Sequence, residues 1–297
     1  MHLDEDFWLT HSHLGSRKLH ELYPDRFADD AGWRKARRTA AERFPYLFDE
    51  DRRPLTGIAV FDLHYPHHTQ RLWDNILRLT ADMQPDVFVF GGDNMHMDPF
   101  SHWNHDRNKR RQLEGKRVKK EYAGFQSAIL DPLEERLGDE CRRIFMLGNH
   151  EKWVADYTDE HPEVEGYFEV ENNLALDRWE LYEYGESAEV GKLHFIHGLY
   201  CLLHNAAKTV TVYHRNVVYG HGHTYQAHTE VTPLDSDAHT AVQIPCACDM
   251  NPDYARNKPN AWLQGFAIFH IRAGGNFNLY PVIAVDGHFT APNGTYY

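Results

Sequence analysis

The chain has 297 residues, 42% of them hydrophobic and 13% aromatic, enough apolar mass for one large α/β domain or two small ones and too much for a disordered segment. A formal net charge of -13 works against diffuse attraction to nucleic acid or anionic membranes unless cationic side chains are gathered locally. Cys141, Cys201, Cys246 and Cys248 are few, and the pair Cys246-Ala247-Cys248 lacks the second close pair of a structural zinc site, so all four read as reduced thiols.

The first residues are acidic and lack the apolar core of a signal peptide, and nowhere do about 18 apolar residues run together. A cytoplasmic location without a membrane partner is therefore expected. Residues 1–54 hold no strand-like run and form a helical extension packed on the main domain, with a helix over 31–44 capped by Asp30 and carrying Trp33, Ala36, Ala40 and Phe44 at turn spacing. The remainder, 55–297, reads as one catalytic domain. Gly57-Ile58-Ala59-Val60-Phe61 has strand character and ends in Asp62-Leu63-His64. A helix starts at Thr69, with Leu72, Trp73, Ile76 and Leu79 on one face, and Asp86-Val87-Phe88-Val89-Phe90 is a second strand ending in Gly91-Gly92-Asp93-Asn94.

An insertion over roughly 100–138 follows. Its first half sets Arg107, Lys109, Arg110, Arg111, Lys116, Arg117, Lys119 and Lys120 against Asp106, Glu114 and Glu121, a local balance of +5. Such a patch either meets nucleic acid or is a solvated basic face. Its second half spaces Val118, Tyr122, Phe125, Ile129, Leu133 and Leu137 for one amphipathic helix. The apolar run Ile144-Phe145-Met146-Leu147 then stops in Gly148-Asn149-His150-Glu151, which is either a turn that starts a helix or a ligand-bearing strand end. An acidic helical region over 162–176 is expected, then a strand ending at His197, a short helix over 205–213, and a strand ending in Gly220-His221-Gly222-His223. Four further strands, over 225–231, 240–244, 265–271 and 277–283, close the chain, the last two joined as a hairpin through Ala273-Gly274-Gly275-Asn276.

With 22 histidines, no single one is informative, and only position sorts them. Five expected strands end in Asp62 and His64, Asp93, Asn149 and His150, His197, and His221 and His223. These are oxygen and nitrogen donors without a thiolate, suited to Mn²⁺, Fe, Zn²⁺ or Mg²⁺. Seven candidate ligands exceed one zinc site and suit two ions sharing a carboxylate.

In that order the five motifs resemble those of the calcineurin-like metallophosphoesterases. The resemblance spans about residues 57–225 and implies a four-layer α/β/β/α sandwich of two mixed sheets, with all four closing strands assigned to the second sheet. It further implies two divalent ions per chain, Mn²⁺ first, with Fe, Zn²⁺, Ni²⁺ or Mg²⁺ as alternatives. Asp62, His64 and His223 would hold one ion, Asn149, His197 and His221 the other, with Asp93 bridging. His150 would face the phosphate and protonate the leaving oxygen, while a hydroxide held between the ions attacks in line. The second motif continues Asn94-Met95-His96-Met97-Asp98, unlike protein phosphatases, and lacks the tyrosine ligand of purple acid phosphatases.

Ser101-His102-Trp103-Asn104, the basic insertion and the tail from Asn260-Ala261-Trp262 to Gly294-Thr295-Tyr296 are similar to phage and prophage members related to DNA repair exonucleases. That likeness leans toward a phosphodiesterase or nuclease acting on DNA, with Asn94, His67, His102, Lys119 and Lys120 as substrate contacts. A phosphomonoesterase or cyclic-nucleotide phosphodiesterase is the alternative enzyme, and a non-catalytic scaffold the alternative class.

Overall fold

The computed structural model describes the whole chain except residues 1, 2, 4, 13, 15, 45–47, 49–52, 102–112, 114, 233, 234 and 253–259. Three helices lead, α1 (Glu5–His11), α2 (Ser16–Leu22) and α3 (Asp30–Arg43). The α3 cap is Asp29, one residue before the expected Asp30, and its side chain accepts from the Gly32 amide. Then come β1 (Leu55–Val60), α4 (Gln70–Met83), β2 (Val87–Gly91), α5 (Val118–Phe125), α6 (Asp131–Glu134), β3 (Arg142–Met146) and α7 (Asn149–Glu160). The chain continues through β4 (Glu180–Tyr182), β5 (Ala188–Val190), β6 (Leu193–Ile196), α8 (Asn205–Tyr213), β7 (Asn216–Tyr219), β8 (Gln226–Thr232), β9 (Asp235–Gln243), β10 (Gln264–Ile271) and β11 (Phe277–Ala284).

Two mixed sheets result, ordered β11-β10-β1-β2-β3-β4 and β5-β6-β7-β9-β8. Strands β1 to β4 run parallel, whereas β10 pairs antiparallel with β1 and β11 antiparallel with β10. The strongly amphipathic α4 lays Leu72, Trp73, Ile76 and Leu79 on the outer face of the first sheet, beside Phe88, Phe90 and Phe145. Alternate residues of the same strands, Ala59, Val89 and Ile144, face inward and meet Phe195, Val218 and Val242 of the second sheet. Helix α8 covers the far face through Val210, against Ile196, Val217 and Tyr219. The order is therefore helix, sheet, sheet, helix, as expected.

Three expectations need correction. The closing hairpin β10-β11 returns to the first sheet, since Gly57, Ile58 and Ala59 pair with Phe269, Ile268 and Ala267; only β8 and β9 join the second. Residues 162–176 hold two short 3₁₀ turns, Pro162–Val164 and Val170–Asn172, in place of a helix. The helix from Val118 passes through a π turn at Gln126–Leu130 before α6. Pro132 accounts for that turn, because a proline inside a regular helix loses one hydrogen bond and strikes the preceding turn. Apolar spacing survives the irregularity, and Val118, Tyr122, Phe125, Ile129, Leu133 and Leu137 are all buried. Among the described residues, no helix is long and apolar enough to cross a membrane.

Candidate metal centre

Strands β1, β2, β3, β6 and β7 stop at one end of the two sheets, and the candidate ligands lie just beyond them. The turns there are tight. Asp62, His64, Asp93, His221 and His223 all have positive φ, between 50° and 68°, which costs a non-glycine residue of order 1–3 kcal/mol each. Cross-loop hydrogen bonds hold them in place. Asp62 N donates to Gly92 O at 3.1 Å and His64 N to Asp93 O at 2.9 Å, while His221 N donates to Asp62 Oδ2 at 2.7 Å. Gly148 is needed for close approach rather than for φ, which is -94°: a Cβ there would sit 2.1 Å from Asp93 Oδ1. A Cβ at Gly220 would likewise sit 2.4 Å from Asp62 Oδ2.

The donors gather into two groups, Asp62, His64 and His223 in one and Asp93, His197 and His221 in the other, each with its ligand atoms within 4.8 Å. Asn149 stands with the second, its Oδ1 3.1 Å from His197 Nε2. Asp93 Oδ2 reaches both, lying 3.3 Å from His197 Nε2 and 3.7 Å from His64 Nε2. Asp62, His64, Asp93, His197 and His223 are buried. All seven sequence-chosen ligands thus come together.

The residues present fit a pair of cations. Asp62 Oδ1 is buried without a hydrogen-bond partner, yet lies 3.5 Å from His223 Nε2. The Nε2 atoms of His64 and His223 face each other at 3.1 Å. His197 gives its Nδ1 proton to Gly91 O at 3.1 Å, so its Nε2 lone pair points at the oxygens of Asn149 and Asp93. Lone pairs converging this way require either shared protons or a cation. Protons are the metal-free solution. Burial opposes charge on His197, but Asp93 outweighs it and lifts the ring to about 9; Asp62 does the same for His223, also to about 9. Burial and the neighbouring His150 hold His64 well below its ordinary value. Burial would raise Asp93, but His150 and His197 hold it far below the usual carboxylate range.

His150 lies beside the first group, its ring 4.5 Å from that of His64 and its ligand atom within 4.8 Å of those of His64 and His96, with Nε2 3.8 Å from Asp93 Oδ2 and its ring tilted by 31° against Trp153 at 4.0 Å. Its own amide donates to Asp93 Oδ1 at 2.9 Å, so the first turn of α7 holds that carboxylate.

Sequence reasoning undervalued two residues. Glu151 is buried and accepts from the amides of Gly148, Met95 and Asp93 at 2.8, 2.8 and 3.1 Å, tying the loops after β2 and β3 together. His96 offers its carbonyl to His150 Nδ1 at 2.7 Å and its ring to Asp98, 3.3 Å away. The Glu151 bond to the Gly148 amide is a local helix-start cap, but its bonds to Met95 and Asp93, like the His96 contacts, follow no local motif.

The expected substrate contacts fare unevenly. Asn94 is fully buried, and its amide donates to Met146 O at 2.9 Å, bracing the loop after β2 against β3. Lys119 is bound to Tyr167 O and Asn173 Oδ1, whereas Lys120 is exposed. His67 lies at the rim, half-buried, 3.9 Å from Asp98. His102 and the residues from Arg107 to Arg111 lie outside the described residues.

No protein-family model and no curated protein matches the chain. Among solved structures, wild-type Vps29 from Entamoeba histolytica, complexed with Zn²⁺, is 13% identical, with 79% of this chain and 96% of that chain covered and a TM-score of 0.42. Vacuolar Protein Sorting 29 from Cryptosporidium parvum is 14% identical, over 80% of this chain and 96% of that one, with a TM-score of 0.40. A single mutant of the Entamoeba histolytica protein gives 12%, 78%, 94% and 0.39. Likeness this distant transfers no site, partner or activity, so what the centre can do rests on the distances within this chain.

Proposed function

We propose that this chain is a calcineurin-like metallophosphoesterase that hydrolyses phosphoesters at a centre of two divalent cations. The observation that carries the reading is Asp93, whose Oδ2 lies within 3.7 Å of a histidine nitrogen in each ligand group, as a bridging carboxylate must. Asp62, His64 and His223 would hold one ion, and Asn149, His197 and His221 the other, with oxygen and nitrogen donors that suit Mn²⁺. When bound, the ions supply Lewis acidity that neutralises phosphate oxygens and acidifies water.

The chain's own residues do the rest. The His96 carbonyl can only accept, so His150 carries a proton on Nδ1 and its Nε2 is free to gain a second. The resulting imidazolium, 3.8 Å from Asp93, can give the Nε2 proton to a departing alkoxide. The Asp62 and Asp93 carboxylates, held by the amides of His221 and His150, keep their orientation throughout.

Asp93→Asn removes one anionic oxygen from both groups. We expect it to lose bound Mn²⁺ and turnover together, measured by elemental analysis and by hydrolysis of a generic aryl phosphomonoester and phosphodiester. Full activity in that variant would sink the assignment.

A nucleic-acid substrate is the second reading, favoured by the exposed Arg117 and Lys120 at the root of the basic insertion. Reversing both to Glu should weaken single-stranded DNA binding and flatten its salt dependence, since phosphate contacts release counterions. Unchanged affinity would leave small phosphoesters as the substrate class.

A further inference from the structure

Cys246 and Cys248 have no second cysteine pair in the sequence, but the fold brings them a histidine. Ala247 N donates to Phe61 O at 3.0 Å, and the chain bends there between two isolated bridges, Cys246 with Gln264 and Cys248 with His68. The Sγ atoms of both cysteines and a ring nitrogen of His223 lie within 4.8 Å of one another. His223 Nδ1 is 3.9 Å from Cys248 Sγ, while its Nε2 turns the opposite way, toward Asp62 and His64. Both cysteines are fully buried and His223 is 7% exposed.

We propose that the Cys246 and Cys248 sulfurs and His223 Nδ1 form a third cation site, behind the first ligand group, for a thiophilic ion such as Zn²⁺. Two sulfurs and an imidazole nitrogen are a soft donor set, unlike the oxygen and nitrogen donors of the centre in front, so the two places select different ions. Binding is a simple exchange: each thiol releases its proton to solvent as its sulfur bonds the cation, with no change of oxidation state. One imidazole then serves both places. A ring that gives both nitrogens to cations releases its last proton as well, a third proton beside those of the two thiols, and His223 becomes an anionic bridge between the two places.

The test titrates reduced, Mn²⁺-loaded protein with Cd²⁺ and follows sulfur-to-metal charge-transfer absorption, which the oxygen and nitrogen ligands of the other centre cannot produce. We expect the band to saturate at one Cd²⁺ per chain, to vanish in Cys246→Ser and in Cys248→Ser, and to persist in Cys201→Ser. The band should also persist in Asp93→Asn, which separates this site from the phosphoesterase reading. Absence of the band in folded wild-type protein with titratable thiols would overturn the proposal, and so would a band that survives loss of both cysteines. The wild-type titration decides the matter even where a cysteine variant fails to fold.

Discussion

One contact of His150 decides its chemistry: the His96 carbonyl at Nδ1 leaves only Nε2 to exchange a proton. Substituting His150→Ala should therefore lower kcat about 10²- to 10⁴-fold while leaving metal content near normal, as neither ion of the proposed pair takes it as a ligand. Loss of Mn²⁺ from that variant, seen by elemental analysis, would place His150 among the ligands. Glu151 is the opposite case, a residue with no access to substrate and a large structural role. Its two oxygens accept from three amides, so Glu151→Gln sets an NH₂ group against at least one N–H donor. Each orphaned amide costs about 1–3 kcal/mol, and urea denaturation should show a loss of that order or more, together with weaker Mn²⁺ binding. The gathering of the seven candidate ligands was legible because an apolar run ending in Asp, Asn or His betrays a strand end. Glu151 was legible as a helix-starting carboxylate but not as a tie between loops, because its partners Asp93 and Met95 lie 58 and 56 residues away in the chain.

Helix α5 shows how an element can carry a charge that it would rather not hold. Glu121 lies on its buried face, where burial, helped by Asp98, outweighs the Met97 amide and Lys116 and raises the carboxyl from 4.5 to about 7. The folded chain therefore binds a proton there that the unfolded chain has already released. Stability from this group is fully present below about pH 4.5 and is lost as pH rises toward 7, by about 3 kcal/mol in all. Glu121→Gln keeps an oxygen for Met97 N, 2.7 Å away, and removes the titration. It should stabilise the protein at pH 8, measured by urea denaturation, and flatten the pH dependence between 4.5 and 7. Equal stability of the two proteins at pH 8 would show that Glu121 stays solvated. Long elements such as α4 and α8 were legible from periodicity. The three-residue strands β4 and β5 were not, since they are too short to show an alternation and exist only through pairing with β3 and β6.

At the scale of the whole molecule, the helical extension ahead of β1 belongs to the core. Phe7, Trp8, Leu19 and Trp33 are buried in the same apolar cluster as Phe61, Phe195 and Phe269 from the two sheets. Trp33 packs against Phe7, Trp8, Tyr23 and Phe27, with ring centroids 5.0 to 6.4 Å apart. Polar ties fix the outer edge: Gly274 N, in the turn between β10 and β11, donates to Ser12 Oγ at 3.0 Å, and Arg37 donates to Ser12 O at 2.8 Å. The sequence reads as a helical extension packed on the main domain, but not as one whose aromatics enter the core between the sheets, since an aromatic-rich helix fits an outer face as well as an inner one. If the extension is part of the core, calorimetry of the full chain should give one cooperative transition, and Trp8→Ala should lower stability by about 3–5 kcal/mol. Removing residues 1–54 should then leave an aggregating chain that binds no Mn²⁺. A truncated protein that stays folded with its midpoint and metal content intact would make the extension an appendage instead.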